Sequence, residues 1–195
     1  MQAVCVYLGA SEGDKAFAEA VKTFGLILVK DNVRLVYGGG DSGYMALLAK
    51  TVRDNGGKVT GITPSFLIER EGVLSGINSV VVQTMHERKM LMFEQADAFV
   101  AMPGGWGTLE ELVEQLTWAQ IGRHQKPVLI ANLMGYYNLL FEFFDRMREH
   151  KLLHNGTEPL VANRVEDILP ILYGEMEGRE SVVRENGSAA IRNKF

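Results

Sequence analysis

Short apolar runs alternate along this chain with longer stretches whose apolar residues recur every three to four positions. The runs are Ala3 to Leu8, Val33 to Tyr37, Val59 to Ile62, Ser79 to Gln83, the run that opens at Asp97 and breaks at Pro103-Gly104-Gly105, Pro127 to Ala131, and a weak one, Leu160 to Ala162. Few of them alternate with period two, so they predict strands buried on both faces rather than half-exposed ones. The stretches between them predict helices. One carries Phe17, Val21, Phe24 and Leu28; the next spans Tyr44 to Asp54 and ends at Asn55-Gly56-Gly57, residues that tolerate positive φ. Others span Met85 to Gln95, the segment after Gly107 to Gln120, and Tyr136 to Glu149. In the helix after Gly107, Leu109, Leu112, Val113 and Leu116 share one face. A last helix, Val165 to Tyr173, is expected to be interrupted or kinked at Pro170. Residues 65 to 78 are the least periodic and predict a mobile loop with a short helix. Strand–helix alternation of this kind predicts an α/β fold: a doubly wound parallel sheet covered on both faces, in a single domain over residues 1–173. The polar residues 174–195 predict a frayed tail.

Composition narrows the partners. The chain has 195 residues and 47% hydrophobic content, enough for one substantial core. The formal net charge is -4 and no Lys/Arg cluster forms a basic stripe, which argues against nucleic acid as the main partner. A phosphorylated small molecule needs only one or two cations. Cys5 is the single cysteine and sits in an apolar run; it excludes an internal disulfide, predicts a small buried hydrophobe and fits a reducing cytoplasm. No apolar run reaches the roughly 18 residues of a membrane helix. The first residues enter a strand with no basic-then-apolar leader, so a cytoplasmic protein is expected.

The candidate chemistry lies where strands give way to helices. In Asp97 to Glu111 a glycine loop joins a strand's carboxyl end to a helix's amino end, leaving backbone N–H groups unpaired. Together with the helix dipole these donors favour a phosphate, and glycines let it approach closely. Thr108-x-x-Glu111 also reads as a capping box, and the two readings are compatible. Gly38-Gly39-Gly40-x-x-Gly43 is a second such loop. It is not a Walker motif, lacking Gly-Lys-Ser/Thr, and its register is poor for a dinucleotide fingerprint. Ligands in parallel sheets bind at the carboxyl ends of the strands, so the two loops could line one anionic pocket. Arg88 and Lys89, early in their helix, either lie on a solvated face or turn toward that pocket. Glu110 and Glu111 point about 100° apart and cannot act as a paired-carboxylate machine, although one of them can act alone. His86, His124, His150 and His154 have no partners at metal spacing, so no metal site is expected. Met85, Met90 and Met92 read as core, and Trp118 and the Tyr136-Tyr137 pair as packing or dimer contacts. With no G-x-S-x-G elbow or Ser-His-Asp order, acyl chemistry is not expected.

Three segments in this order carry a resemblance. Tyr37-Gly38-Gly39-Gly40-x-x-Gly43-x-Met45, Met85-His86-Glu87-Arg88-Lys89 and Pro103-Gly104-Gly105-Trp106-Gly107-Thr108-Leu109-Glu110-Glu111 resemble the motifs of the Lonely Guy (LOG) family. These are cytokinin riboside 5′-monophosphate phosphoribohydrolases, long mislabelled as lysine decarboxylases. Thr117-Trp118-Ala119-Gln120 and Gly135-Tyr136-Tyr137 are similar as well, and the resemblance covers residues 3 to 173. It implies a Rossmann-like fold, a homodimer, no cofactor, and cleavage of the N-glycosidic bond of a purine nucleoside 5′-monophosphate to free base and ribose 5-phosphate. The family's catalytic residues map onto Arg88 and Glu111. Its substrate contacts map onto Lys89, onto Gly105, Trp106, Gly107, Thr108, Leu109 and Glu110, onto Thr117, and onto Gly39, Gly43 and Met45 of the first loop. A family glutamate maps near Glu69 and Glu71, and both remain candidates. Ala46 stands where the family often has glycine. A non-catalytic nucleotide sensor on the same fold is the alternative; a dinucleotide-dependent oxidoreductase is disfavoured by the glycine register.

Overall fold

The computed structural model describes residues 1–153 and 158–179. Seven strands run parallel in one sheet: β1 (Ala3–Tyr7), β2 (Arg34–Tyr37), β3 (Val59–Pro64), β4 (Asn78–Val82), β5 (Ala98–Ala101), β6 (Val128–Ala131) and β7 (Leu160–Ala162). Their order is β4-β3-β2-β1-β5-β6-β7. The sheet grows outward from β1 in both directions, so the chain reverses its winding between β1 and β5. The helices are α1 (Lys15–Lys30), α2 (Gly43–Asp54), a single turn α3 (Ile68–Glu71), α4 (Met85–Glu94), α5 (Trp106–Gln120), α6 (Asn138–Glu149) and α7 over residues 168–179.

Double-sided burial explains why the strands read as unbroken apolar runs. Val4 and Val6 of β1 pack with Phe24, Leu28, Leu48 and Leu169 from α1, α2 and α7. The intervening Ala3, Cys5 and Tyr7 face the other way, toward Met92, Leu112 and Phe144 from α4, α5 and α6. Cys5 is buried and free, as expected of a small core residue. Among the described residues no helix is long and apolar enough to cross a membrane.

Some boundaries differ from the periodicity, and the aperiodic segment does hold a short helix. β3 continues through Thr63 and Pro64 because β4 pairs with it to Pro64, whereas β2 stops at Gly61. The missing N–H of Pro64 therefore falls beyond the last β2 partner. The aperiodic segment 65–78 holds a 3-10 turn, Ser65–Leu67, and α3, which ends on Gly72 at φ 71°. Pro170 does not break α7. It lies in the first α-helical turn, after a 3-10 turn at Val165–Asp167, where a missing N–H costs little. α7 then runs through Gly174 to residue 179, with Arg179 Nε 2.7 Å from Glu175 Oε1, so the polar stretch begins as helix. The rest of the expected tail, and His154, lie outside the described residues.

α4 is fixed at its start by a cap. Thr84 Oγ1 accepts from the Glu87 N–H at 3.1 Å, and Glu87 Oε2 accepts from the Gln83 N–H at 2.8 Å. This is a variant of the capping box that the Thr-x-x-Glu spacing suggested for Thr108 and Glu111, with Glu87 taking the N–H of the residue before the cap. Thr84→Ala is expected to lower unfolding free energy by about 1 kcal/mol in urea titration. A loss below about 0.3 kcal/mol would show that water replaces the cap.

Candidate active site

The loops after β1 and β5 meet where the winding reverses, and a cleft of about 570 Å³ opens there. Backbone contacts lock its floor: the Gly9 N–H donates to Pro103 O at 3.2 Å, and the Met45 N–H donates to Gly9 O at 3.2 Å. Close approach demands glycine at two points. Gly43 has φ 55°, and a Cβ on it would lie 2.4 Å from the Ala10 carbonyl carbon. A Cβ on Gly104 would lie 2.1 Å from Thr108 Oγ1. The Tyr136 hydroxyl donates to Gly104 O at 2.6 Å, bracing the same loop from the far wall.

α5 begins at Trp106, capped by Gly105, and not after Gly107. Gly105 offers no side-chain oxygen, so the N–H groups of the first turn have no intrahelical or capping partner. Thr108 is thus inside the first turn and Glu111 beyond it, and the expected capping box is absent. The expected face also moves. The buried stripe of α5 is Thr108, Glu111, Leu112 and Gln115, while Leu109 and Leu116 are half-buried and Val113 is 43% exposed. Leu112 is buried and Leu109 and Leu116 pack against the core as expected, but apolar spacing could not show that the inward stripe also carries polar residues.

That stripe carries Glu111 into the protein. Its residue is 9% exposed and that of Arg88, on α4, is 7% exposed, so Arg88 is not on a solvated face. Arg88 Nη2 lies 3.9 Å from Glu111 Oε1. Burial pushes the Glu111 carboxyl up to about 7, against the pull of Arg88 and with some help from Glu110. Arg88 Nε and Glu71 Oε2 are buried without hydrogen-bond partners, and both residues line the cleft. The geometry thus separates the two glutamate candidates: Glu71 lines the cleft, whereas Glu69 is exposed and does not.

Of the other expected contacts, Gly105, Trp106, Gly107, Thr108, Glu110 and Met45 line the cleft. Gly39 and Gly43 do not line it: Gly39 packs against Thr63 and Ile62, and Gly43 against Ala10 and Ser11 of the cleft loop. Lys89 is turned away, its Nζ 2.5 Å from Glu110 and 2.9 Å from Glu114. Leu109 and Thr117 line a separate shallow depression with Val113 and Trp118, and the Thr117 hydroxyl donates to Val113 O at 2.7 Å. Ala46 is buried on α2 and does not line the cleft, so its methyl group meets packing.

Periodicity missed part of the wall. Residues 9–14 after β1, Phe17, Tyr44, Met85 and Tyr136 all line the cleft. Met85 and Tyr136 had read as core and packing. The loop after β1 was visible as Gly9-Ala10-Ser11-Glu12-Gly13, but its importance follows from β1 lying beside β5, which spacing along the chain does not reveal. Trp118 packs edge-on against Phe93 with Arg123 above its ring, as a structural residue would. His124 is also structural: its Nδ1 accepts from the Lys126 N–H, so Nε2 carries the proton and donates to Gln115 O at 3.1 Å. Burial lowers its pKa. Among the described residues no cluster of His, Cys, Asp and Glu could hold a metal ion.

A parallel doubly wound sheet, glycine loops at its reversal point and a buried arginine–glutamate pair between them define an α/β protein of the Rossmann-like class with a ligand cleft. Residues 45–169 match the family described as possible lysine decarboxylase. The chain is 47% identical over 162 residues to the cytokinin riboside 5′-monophosphate phosphoribohydrolase LOG3 of Arabidopsis thaliana, covering 82% of this chain and 75% of that protein. It is 40% identical over 178 residues to LOG1 of the same plant, covering 86% and 84%. The chain belongs to this LOG family. The fold is shared with the molybdenum cofactor binding protein of Rippkaea orientalis, at TM-score 0.71 and 18% identity over 90% of this chain and 97% of that one. It is also shared with the Moco carrier protein of Chlamydomonas reinhardtii, at TM-score 0.68 and 18% identity over 91% and 98%. At such identities the likeness is one of fold alone. Pyridoxal chemistry, which a decarboxylase of amino acids requires, does not fit: no lysine lines the cleft among the described residues, and Lys89 is committed to two carboxylates.

Proposed function

We propose that the protein hydrolyses the N-glycosidic bond of purine nucleoside 5′-monophosphates, AMP and cytokinin riboside 5′-monophosphates among them, to free base and ribose 5-phosphate. The observation that carries this reading is the Arg88–Glu111 pair, buried in a cleft beside the open N-terminus of α5. The relatives named as phosphoribohydrolases support it.

The two ends of a nucleotide find different surroundings. The first-turn N–H groups of α5 suit the phosphate. Glu111 lies three to five residues further along the helix, about 5–8 Å at 1.5 Å per residue, so it meets the glycosidic end. Arg88, being beside Glu111, serves that same end and neutralises charge gathering on the base. As the C1′–N bond breaks, the electron pair leaves with the base and positive charge builds on the sugar, which the Glu111 carboxylate stabilises. Water adds its oxygen to C1′, and its proton passes to Glu111. A carboxyl poised at about 7 can then return a proton to the departing base. No cofactor enters this sequence. Incubation with AMP followed by chromatography is expected to yield adenine and ribose 5-phosphate. AMP binding without adenine would leave the non-catalytic sensor in its place.

The same reading includes a cytoplasmic location, suggested by a lone buried cysteine, and a homodimer. The outward side of α5 exposes Trp106 at 88% and Ile121 at 68%, on either side of Val113. An apolar strip of this kind on a charged protein suits a second copy. Light scattering at micromolar concentration is expected to report a dimer, and Val113→Asp a monomer. A monomeric wild-type protein would remove the idea.

A further inference from the structure

We infer that Gly38 is a positioning residue for Arg88, whose guanidinium occupies the space a side chain at position 38 would fill. The inference rests on the reading of Arg88 as acting at the glycosidic end of the cleft. A Cβ built on Gly38 would lie 1.7 Å from Arg88 Nη2, 2.8 Å from Cζ and 3.3 Å from Nε. The guanidinium therefore rests directly against the backbone at the carboxyl end of β2.

Little else holds it. Nε has no hydrogen-bond partner, Nη1 has the soft Met85 sulfur at 3.8 Å, and Nη2 has Glu111 at 3.9 Å. Strong charge-assisted bonds run near 2.8 Å, so none of these contacts pins the group. Its place is set by shape, and the bare backbone of Gly38 is the surface that sets it. A methyl group there must displace the guanidinium, because the colliding atoms are the mobile end of a side chain.

The neighbouring glycine differs in kind. Gly39 has φ 80°, and a Cβ on it would lie 1.9 Å from Thr63 Oγ1 and 3.1 Å from the Ile62 backbone. Gly39 is needed by the fold. Gly38 lies outside the left-handed region, so alanine fits its backbone, and the three atoms nearest its Cβ position all belong to the Arg88 guanidinium. One loop thus contains a glycine for folding and a glycine for the site.

Gly38→Ala is expected to fold with a thermal midpoint close to wild type at pH 5, where Glu111 is protonated in both proteins, while kcat on AMP drops about 10²-fold, the usual consequence of misplacing a reacting group by about an ångström. KM should change little, since the phosphate end is untouched. In an Arg88→Lys background, which retains a slimmer cation, Gly38→Ala should cost little more, because both changes act through the same group. Equal fold-losses in the two backgrounds, or wild-type kcat in Gly38→Ala, would overturn the inference. If Gly38→Ala fails to fold, Arg88→Ala should restore folding; failure to restore it would mean the methyl collides elsewhere. A readout free of turnover separates this inference from the assigned activity. The Glu111 carboxyl, followed by 13C NMR titration, should move to higher pH in Gly38→Ala as its cation withdraws. An unmoved titration overturns the positioning role, whereas an inactive wild-type protein overturns only the assigned reaction.

Discussion

Glu111→Gln is expected to suppress AMP cleavage and, at the same time, to stabilise the protein above neutral pH. The two effects share one cause. Burial lifts the carboxyl from 4.5 to about 7 even though Arg88 attracts its charged form. The folded protein thus keeps a proton that the unfolded chain releases once pH passes about 4.5. Stability from this group is therefore full below 4.5, declines as pH rises to about 7, and is flat beyond. At roughly 1.4 kcal/mol per pH unit, the penalty above pH 7 is on the order of 3 kcal/mol. Glutamine mimics the protonated form and carries no such penalty, and no cap is lost, because α5 is capped at Gly105. Turnover should fall by about 10²- to 10³-fold, the typical worth of one positioned electrostatic group. The check is paired: melting temperature from pH 5 to 8.5, and adenine release, for both proteins. A wild-type curve that runs parallel to that of Glu111→Gln would show that Glu111 is not strained by burial. A variant that turns over normally would remove it from the mechanism.

The coincidence of these effects also shows what the sequence could and could not reveal. The strands were legible because burial on both faces makes them uninterrupted apolar runs, and their parallel arrangement followed from the helices between them. The order of the strands was not legible, since it depends on which edge each crossover takes. The loop after β1 therefore carried no special signal, although it floors the cleft. α5 misled for a different reason. Leu109, Leu112, Val113 and Leu116 describe an apolar face, and Leu112 is buried, but the buried stripe also holds Thr108, Glu111 and Gln115, and hydrophobic spacing cannot detect polar residues turned inward. Arg88 and Glu111, which the family resemblance named, line the cleft, whereas Lys89 and Thr117, named with them, do not. Lys89 instead ties α4 to α5 through Glu110 and Glu114, next to the Arg88–Glu111 pair. Adjacent residues on one helix can thus divide between the site and its scaffold.

The 5′-phosphate is expected to be worth at least about 10²-fold in kcat/KM, so that adenosine is a poor substrate beside AMP. The electrostatics of the cleft make this less obvious than it looks. Arg88 is the one cation among its described lining residues, against the carboxylates of Glu12, Asp14, Glu71, Glu110 and Glu111. A dianion enters such a site only if uncharged donors receive it. α5 supplies them: its first turn has N–H groups without partners, and a Cβ on Gly105 or Gly107 would meet no protein atom within 4 Å, so the space before those donors is open. Each hydrogen bond to a charged group is worth about 1.5–3 kcal/mol, so two of them amount to roughly 3–6 kcal/mol, or 10²- to 10⁴-fold. This energy is remote from the bond that breaks. It is expressed as positioning of C1′ against Glu111, and its loss therefore lowers kcat as well as raising KM. Gly107→Val, which fills the space before the donors, should erase most of the preference by weakening AMP and leaving adenosine nearly unchanged. Comparable kcat/KM for AMP and adenosine in the wild-type protein would contradict the phosphate site at α5 and leave its glycines without a ligand.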